Sequence, residues 1–279
     1  MSTVVDHGTT PTPRVLAAAR RRIALTELWT TRRVAWMIAV RDIKAKYKQA
    51  ALGPLWLLIA PLGMLAAVTV AFSGVTDVAT SGVPYTLFAL CGLTVWNYVQ
   101  LSLIMGTQAI VSNAQLVRRS PLPRVALMTG SMAGNLPPLG VTTVLTVLGS
   151  AIAGHLAVQA LLLPFLIAWL FIFTLGVTLL ISALAARFRD TVSAMPLIIQ
   201  AGIFVSPVAY GLAGAPSHIK TLLEINPVSG LVESWRWALL DLSSPNTTAI
   251  AIAGVWTVAL VALGWRVFGR MEVDMADYV

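Results

Sequence analysis

The sequence predicts an all-α polytopic membrane protein: six transmembrane helices, an N-terminal interfacial amphipathic helix, and a re-entrant external helix pair before the last span. Three observations predict it. Hydrophobic residues make up 57% of the chain and charged residues only 11%, against about 25% charged in a typical globular protein. Mean hydropathy is +0.82. The apolar residues also fall in runs near the ~20 residues that cross a bilayer as a helix, and short polar links between the runs carry most of the charge.

Residues 1–26 are a polar, basic tail with Arg20, Arg21 and Arg22, expected to be disordered and cytoplasmic. Residues 27–52 read as the amphipathic helix. At 100° per residue Trp36, Val40, Ile43 and Tyr47 share a stripe, with Arg41, Lys44 and Lys48 along one flank and Lys46 on the other. An apolar stripe edged with cations suits a helix lying in the membrane surface. Gly53-Pro54 breaks the pattern, and residues 53–279 form the membrane domain.

Its spans are expected at about 55–75, 85–106, 125–153, 158–185, 194–212 and 248–268. The third carries Pro137-Pro138, so a kink buried against other helices is expected there. Segment 216–241 is part apolar but holds Lys220, Glu224, Glu233 and Arg236 around an Asn226-Pro227 break. As a seventh span it would place charges in hydrocarbon at about 2.5–3.5 kcal/mol each near the centre. Two short helices dipping in from outside avoid that.

With six spans, 17 of the 19 lysines and arginines lie on one side, all but Lys220 and Arg236. The positive-inside rule makes that side, with both termini, cytoplasmic. It also accounts for the net charge of +8 without nucleic acid as a partner. No apolar run begins early enough for a cleavable signal peptide. Cys91 is the single cysteine and has packing as its expected role, and His7, His155 and His218 make no metal set.

No G-x-x-x-x-G-K-[ST] occurs, so ATP binding through a P-loop is excluded. The spans hold almost none of the carboxylates and histidines on which ion-coupled transporters depend. Uphill transport by this chain would therefore draw its energy from another polypeptide.

Four stretches resemble the membrane subunits of polysaccharide ATP-binding-cassette exporters, the type-2 ABC exporter family. R-D-I-K-A-K-Y-K-Q-A-A-L-G-P-L-W-L-L-I-A-P-L is similar to the family's first motif, and S-N-A-Q-L-V-R-R-S-P-L-P-R to the loop after the second span. R-F-R-D-T-V-S-A-M-P with V-S-P-V-A-Y resembles the fifth-span region, and I-N-P-V-S-G-L-V-E-S-W-R the external motif, with an acidic tail E-V-D-M-A-D behind it. The matches run in the family's order from about Glu27 to the end. Lys46 and Lys48 stand where the family often has arginine, which puts a bidentate phosphate grip in doubt.

The resemblance implies the permease subunit of an exporter in the bacterial inner membrane: a homodimer with two separate ATPase subunits that bind ATP and magnesium. Its implied cargo is a lipid-linked glycan, such as O-antigen, cell-wall galactan or a teichoic-acid-like polymer. This chain would be no enzyme by itself and carry no cofactor. Arg41, Lys44, Lys48 and Tyr47 would meet the anionic head of the cargo; general attraction to anionic membrane lipid is the competing reading. Gln115, Arg118, Arg119 and Arg124 would dock on the ATPase, or only fix topology. Trp96, Tyr98, Phe204, Tyr210, Trp235 and Trp237 would offer stacking faces along a passage, or an interfacial belt. Glu233 and Arg236, at i,i+3, would gate it or simply pair. A permease for a drug or small lipid stays open as the alternative. A membrane glycosyltransferase is disfavoured, because no loop holds a carboxylate pair.

Overall fold

A computed structural model describes residues 31–48, 51–72, 80, 82–113, 115, 124–188, 190–212, 217–242 and 245–271, with no strand among the described residues. Helix α1 (Arg32–Tyr47) leads to a corner at Gly53, the first residue of a short 3-10 turn, Gly53–Leu55. Gly53 has φ +48°, where a Cβ would be strained, and Pro54 sits in the first turn, where its missing N–H costs nothing. The Gly-Pro corner read from the sequence is therefore the structure's own.

Helix α2 (Trp56–Phe72) buries only Pro61 and Val68 against its own chain. Helix α3 (Tyr85–Ser112) is buried over most of its length and is the central post of the bundle. The third expected span is two helices, α4 (Arg124–Ala133) and α5 (Leu136–Ile152), broken at Gly134-Asn135 and not kinked at the prolines. The reason is positional. Pro137 falls in the first turn of α5, where the backbone N–H has no helical partner anyway.

A 3-10 segment, Val158–Leu162, leads into α6 (Leu163–Arg187), then come α7 (Asp190–Val205), α8 (Ser217–Ile225), α9 (Pro227–Leu239) and α10 (Thr247–Met271). Five segments are long and apolar enough to cross a membrane: Gly53–Phe72, Tyr85–Ser112, Arg124–Ile152, Val158–Arg187 and Thr247–Met271. The fifth expected span, 194–212, is α7. It starts earlier and stops at Val205, because Pro207 cannot continue the backbone ladder. Its 16 residues reach about 24 Å, short of the ~30 Å hydrocarbon core.

Close crossings hold the long helices together. A Cβ on Gly264 of α10 would stand 2.6 Å from the Gly176 carbonyl oxygen of α6, so only glycine lets these backbones approach so closely. Trp169 Nε1 donates to Thr257 Oγ1 at 2.9 Å across the same pair. The core divides by height. One cluster joins Ile38 of α1, Ile110 of α3, Met128 of α4, Leu179 of α6 and Phe268 of α10 at the end where α1 lies. A larger cluster at the other end joins Phe88, Val208, Leu231 and Trp235.

The segment before the last helix folds as expected for a re-entrant pair. The break falls at Asn226, whose Oδ1 accepts from the Val228 N–H at 3.0 Å and so caps α9. Asn226 Nδ2 donates to the Val205 carbonyl at 3.0 Å and to Ser206 Oγ at 3.1 Å, tying the break to the end of α7. Helix α9 is buried almost throughout, while α8 leaves Ile219, Leu222 and Ile225 exposed.

Candidate functional site

Helix α1 uses two faces. The stripe read from the sequence is partly open, with Trp36 68% exposed, and Ile38 and Ala39 are buried instead. They lie on a second face that packs on α4. A Cβ on Gly130 would meet the Ala35 carbonyl at 2.7 Å and Ile38 Cβ at 2.8 Å. Gly130 and Gly134 form a small-x-x-x-small pair opposite Ala35 and Ala39, the pattern that brings membrane helices together. The signal was in the sequence, though the basic stripe draws attention first.

On that second face Asp42 and Lys46 stand one turn apart. Ser131 Oγ donates to Asp42 Oδ2 at 2.9 Å. Lys46 Nζ donates to Asn135 Oδ1 at 2.7 Å, and Asn135 Nδ2 donates to Ser102 Oγ at 3.3 Å. A hydrogen-bonded chain thus joins α1, the α4–α5 break and α3. Asn135 does not cap α5 with its side chain, since its oxygen faces the lysine instead.

Beside this chain is a cavity of about 370 Å³ between the end of α1, α2, α3 and α5. Lys46, Tyr47, Asn97, Gln100 and Asn135 supply polar groups, and Trp56, Leu57, Pro61, Leu101 and Leu139 supply apolar wall. Burial pushes the Lys46 amine below the ordinary lysine range, partly offset by Asp42, and pushes the Tyr47 hydroxyl up. Asn97 and Gln100, polar and three residues apart in an apolar run, were the available clue to this site.

The other expected head-group residues lie apart from it. Lys44 and Lys48 are exposed. Arg41 Nε and Nη2 donate to Asp42 Oδ1 at 3.0 and 2.9 Å, and Nη1 donates to Asn113 Oδ1 at 2.9 Å at the end of α3. Gln115 is exposed, and Arg124 is buried at the start of α4. Arg118 and Arg119 lie outside the described residues.

The expected passage aromatics do not form one surface. Trp235 is wholly buried in the core, so it offers no stacking face within this protomer. Trp96 is buried with its ring against Gly202 of α7, whose Cβ would stand 2.8 Å from it. Tyr98 lines the cavity. Phe204 is 75% exposed. Tyr210 Oη donates to the Phe204 carbonyl at 3.0 Å, closing the turn after α7, and Trp237 is half-buried.

Glu233 and Arg236 do pair, at 3.5 Å, but the arginine does more. It is fully buried, with Nη2 donating to the Val208 carbonyl at 2.7 Å and Nη1 to the Tyr210 carbonyl at 3.2 Å. Its guanidinium stacks 3.6 Å from the Phe88 ring centroid. Gly92 lies against it, since a Cβ there would collide with the Val208 carbonyl. Arg236 thus pins the turn after α7 to α9 and α3, a role whose partners are too far along the chain to read from the sequence.

Buried break, pinned turn and closely crossed helices fit a membrane transport domain, and comparison with known families decides which. The family model described as ABC-2 type transporter matches residues 33–240. The chain belongs to the ABC-2 type transporter family. It is therefore a multi-pass membrane protein and the transport subunit of an ABC transporter, a family that implies an ATPase partner.

Among curated relatives, it is 24% identical over 243 residues to an O-antigen export system permease protein RfbA of Klebsiella pneumoniae, covering 86% of this chain and 93% of the relative. It is 23% identical over 256 residues to the O-antigen export system permease protein RfbA of Myxococcus xanthus, covering 91% of this chain and 98% of the relative. This ABC-2 subunit thus matches those relatives along nearly their whole length.

Proposed function

We propose that this ABC-2 subunit is the permease of an ATP-driven exporter that carries a lipid-linked polysaccharide from the cytoplasmic to the outer face of the inner membrane. The observation that carries the reading is the near full-length similarity to permeases named for O-antigen export. ATP and magnesium are bound by the partner ATPase, two copies of which serve a homodimer of this chain. Helix α2 supports the dimer reading: it buries little against its own chain, which leaves a face for a second copy or for lipid.

The termini are cytoplasmic in this reading. Supporting it, α1 and the C-terminal ends of α3, α6 and α10 meet at one end of the bundle, and those are the ends the positive-inside rule assigns to the cytoplasm. The α8–α9 pair lies at the opposite end, where it forms an external cover over the passage.

The test is removal of the protein from its native cell. Surface glycan should vanish while lipid-linked glycan accumulates on the cytoplasmic leaflet. Normal surface glycan with no accumulation contradicts the proposal.

A further inference from the structure

The cavity beside Lys46 has the composition of an amphiphile site. One end carries an ammonium group whose single hydrogen bond runs to a neutral amide, Asn135. A lysine ammonium has three donors, so two remain for a ligand. Among the described residues no carboxylate lies within ion-pair distance of it. The nearby acid, Asp42, is engaged at both oxygens, one by Arg41 and the other by Ser131. A cation held from water without an anionic partner is costly, and an anion of matching size relieves that cost.

The rest of the cavity runs away from the lysine between helices. Trp56, Leu57 and Pro61 of α2 form an apolar wall facing Leu139 of α5. Pro61 has no N–H, so the Leu57 carbonyl lacks its helical donor. That leaves a backbone acceptor on a wall otherwise suited to hydrocarbon. At about 370 Å³ the cavity is at the small end of the ~300–1,000 Å³ range of ligand pockets. It can take a head group and the first stretch of one chain, and it has no room for a polysaccharide.

We infer that this cavity is a binding site for a lipid phosphate, with the phosphate on Lys46 and Asn135 and the first part of the chain along α2. Lys44 and Lys48 of the same helix, being exposed, have no part in it. That the lipid is the exporter's cargo rests on the function proposed above; the binding does not.

The test measures saturable binding of a radiolabelled polyprenyl monophosphate to the purified full chain in detergent, without ATPase or nucleotide. Neutral polyprenol and inorganic phosphate serve as competitors in large excess. The expected result is that neither competes, that Lys46→Gln weakens binding at least about tenfold, and that Lys46→Arg retains most of it. Lys44→Gln should leave it unchanged. Ala60→Phe, which fills the cavity and spares the lysine, should also abolish binding.

Equal weakening by Lys44→Gln would mean diffuse surface attraction and overturn the site. So would full competition by polyprenol, which makes the head irrelevant, or by inorganic phosphate, which makes the site one for a free anion. Because no transport is measured, a failure of glycan export leaves this result standing, and loss of the site leaves the export reading standing.

Discussion

Lys46 and Asn135, 89 residues apart in sequence, are joined by a 2.7 Å hydrogen bond that fixes the end of α1 to the break between α4 and α5. That bond depends on α1 lying close against α4, and the approach depends on Gly130. Gly130→Val would set new carbon atoms against the Ala35 carbonyl and Ile38. Overpacking of this kind costs about 1–3 kcal/mol. The expected outcome is a lower unfolding temperature in detergent and lost cross-linking between cysteines placed at Ala39 and Gly134. Unchanged cross-linking would mean that the α1–α4 contact is not set by the glycine.

Arg236 is the second anchor. Arg236→Met would leave Glu233 and the Val208 and Tyr210 carbonyls without their donor. Breaking a buried ion pair from one side costs about 3–5 kcal/mol. Thermal unfolding should fall accordingly, with Arg236→Lys recovering only part, because an ammonium cannot both stack flat on Phe88 and reach two carbonyls. A variant as stable as the parent would show that the turn holds without this arginine.

How much of this was legible beforehand depends on the range of the interaction. Gly53-Pro54 and Asn226-Pro227 announced their corner and break because each is set by backbone restrictions of one or two residues. Pro137-Pro138 misled by two positions, since prolines tolerated in a first turn look the same in sequence as prolines that kink a helix. The second face of α1 was written in Ala35, Ala39, Gly130 and Gly134, but pairing two small-residue patterns needs the fold. Arg236 was read as a partner for Glu233, a local pair. Its contacts with Phe88 and Val208 arise only when α3, the turn and α9 converge.

The topology of the α8–α9 pair is open to labelling with a membrane-impermeant thiol reagent in a Cys91-free background. Cysteines at Ser217 and Ser243 should both react from outside, and one at Ala276 only from the cytoplasmic face. Labelling of Ser217 and Ser243 from opposite sides would make the segment a true span.

Docking of the ATPase tests Arg118 and Arg119. Replacing both with Glu should stop transport and abolish its coupling to ATP hydrolysis while membrane insertion stays normal. Export at the parental rate would remove this loop from the docking surface.

The central claim is that this chain, with its ATPase, moves a lipid-linked glycan across a bilayer. The most direct measurement reconstitutes both proteins in vesicles holding fluorescent lipid-linked glycan in the leaflet that faces the ATPase. Protection of the glycan from an added hydrolase should then appear with ATP and be absent with a non-hydrolysable analogue. Equal protection with both nucleotides, or none with ATP while the ATPase turns over, would contradict the account.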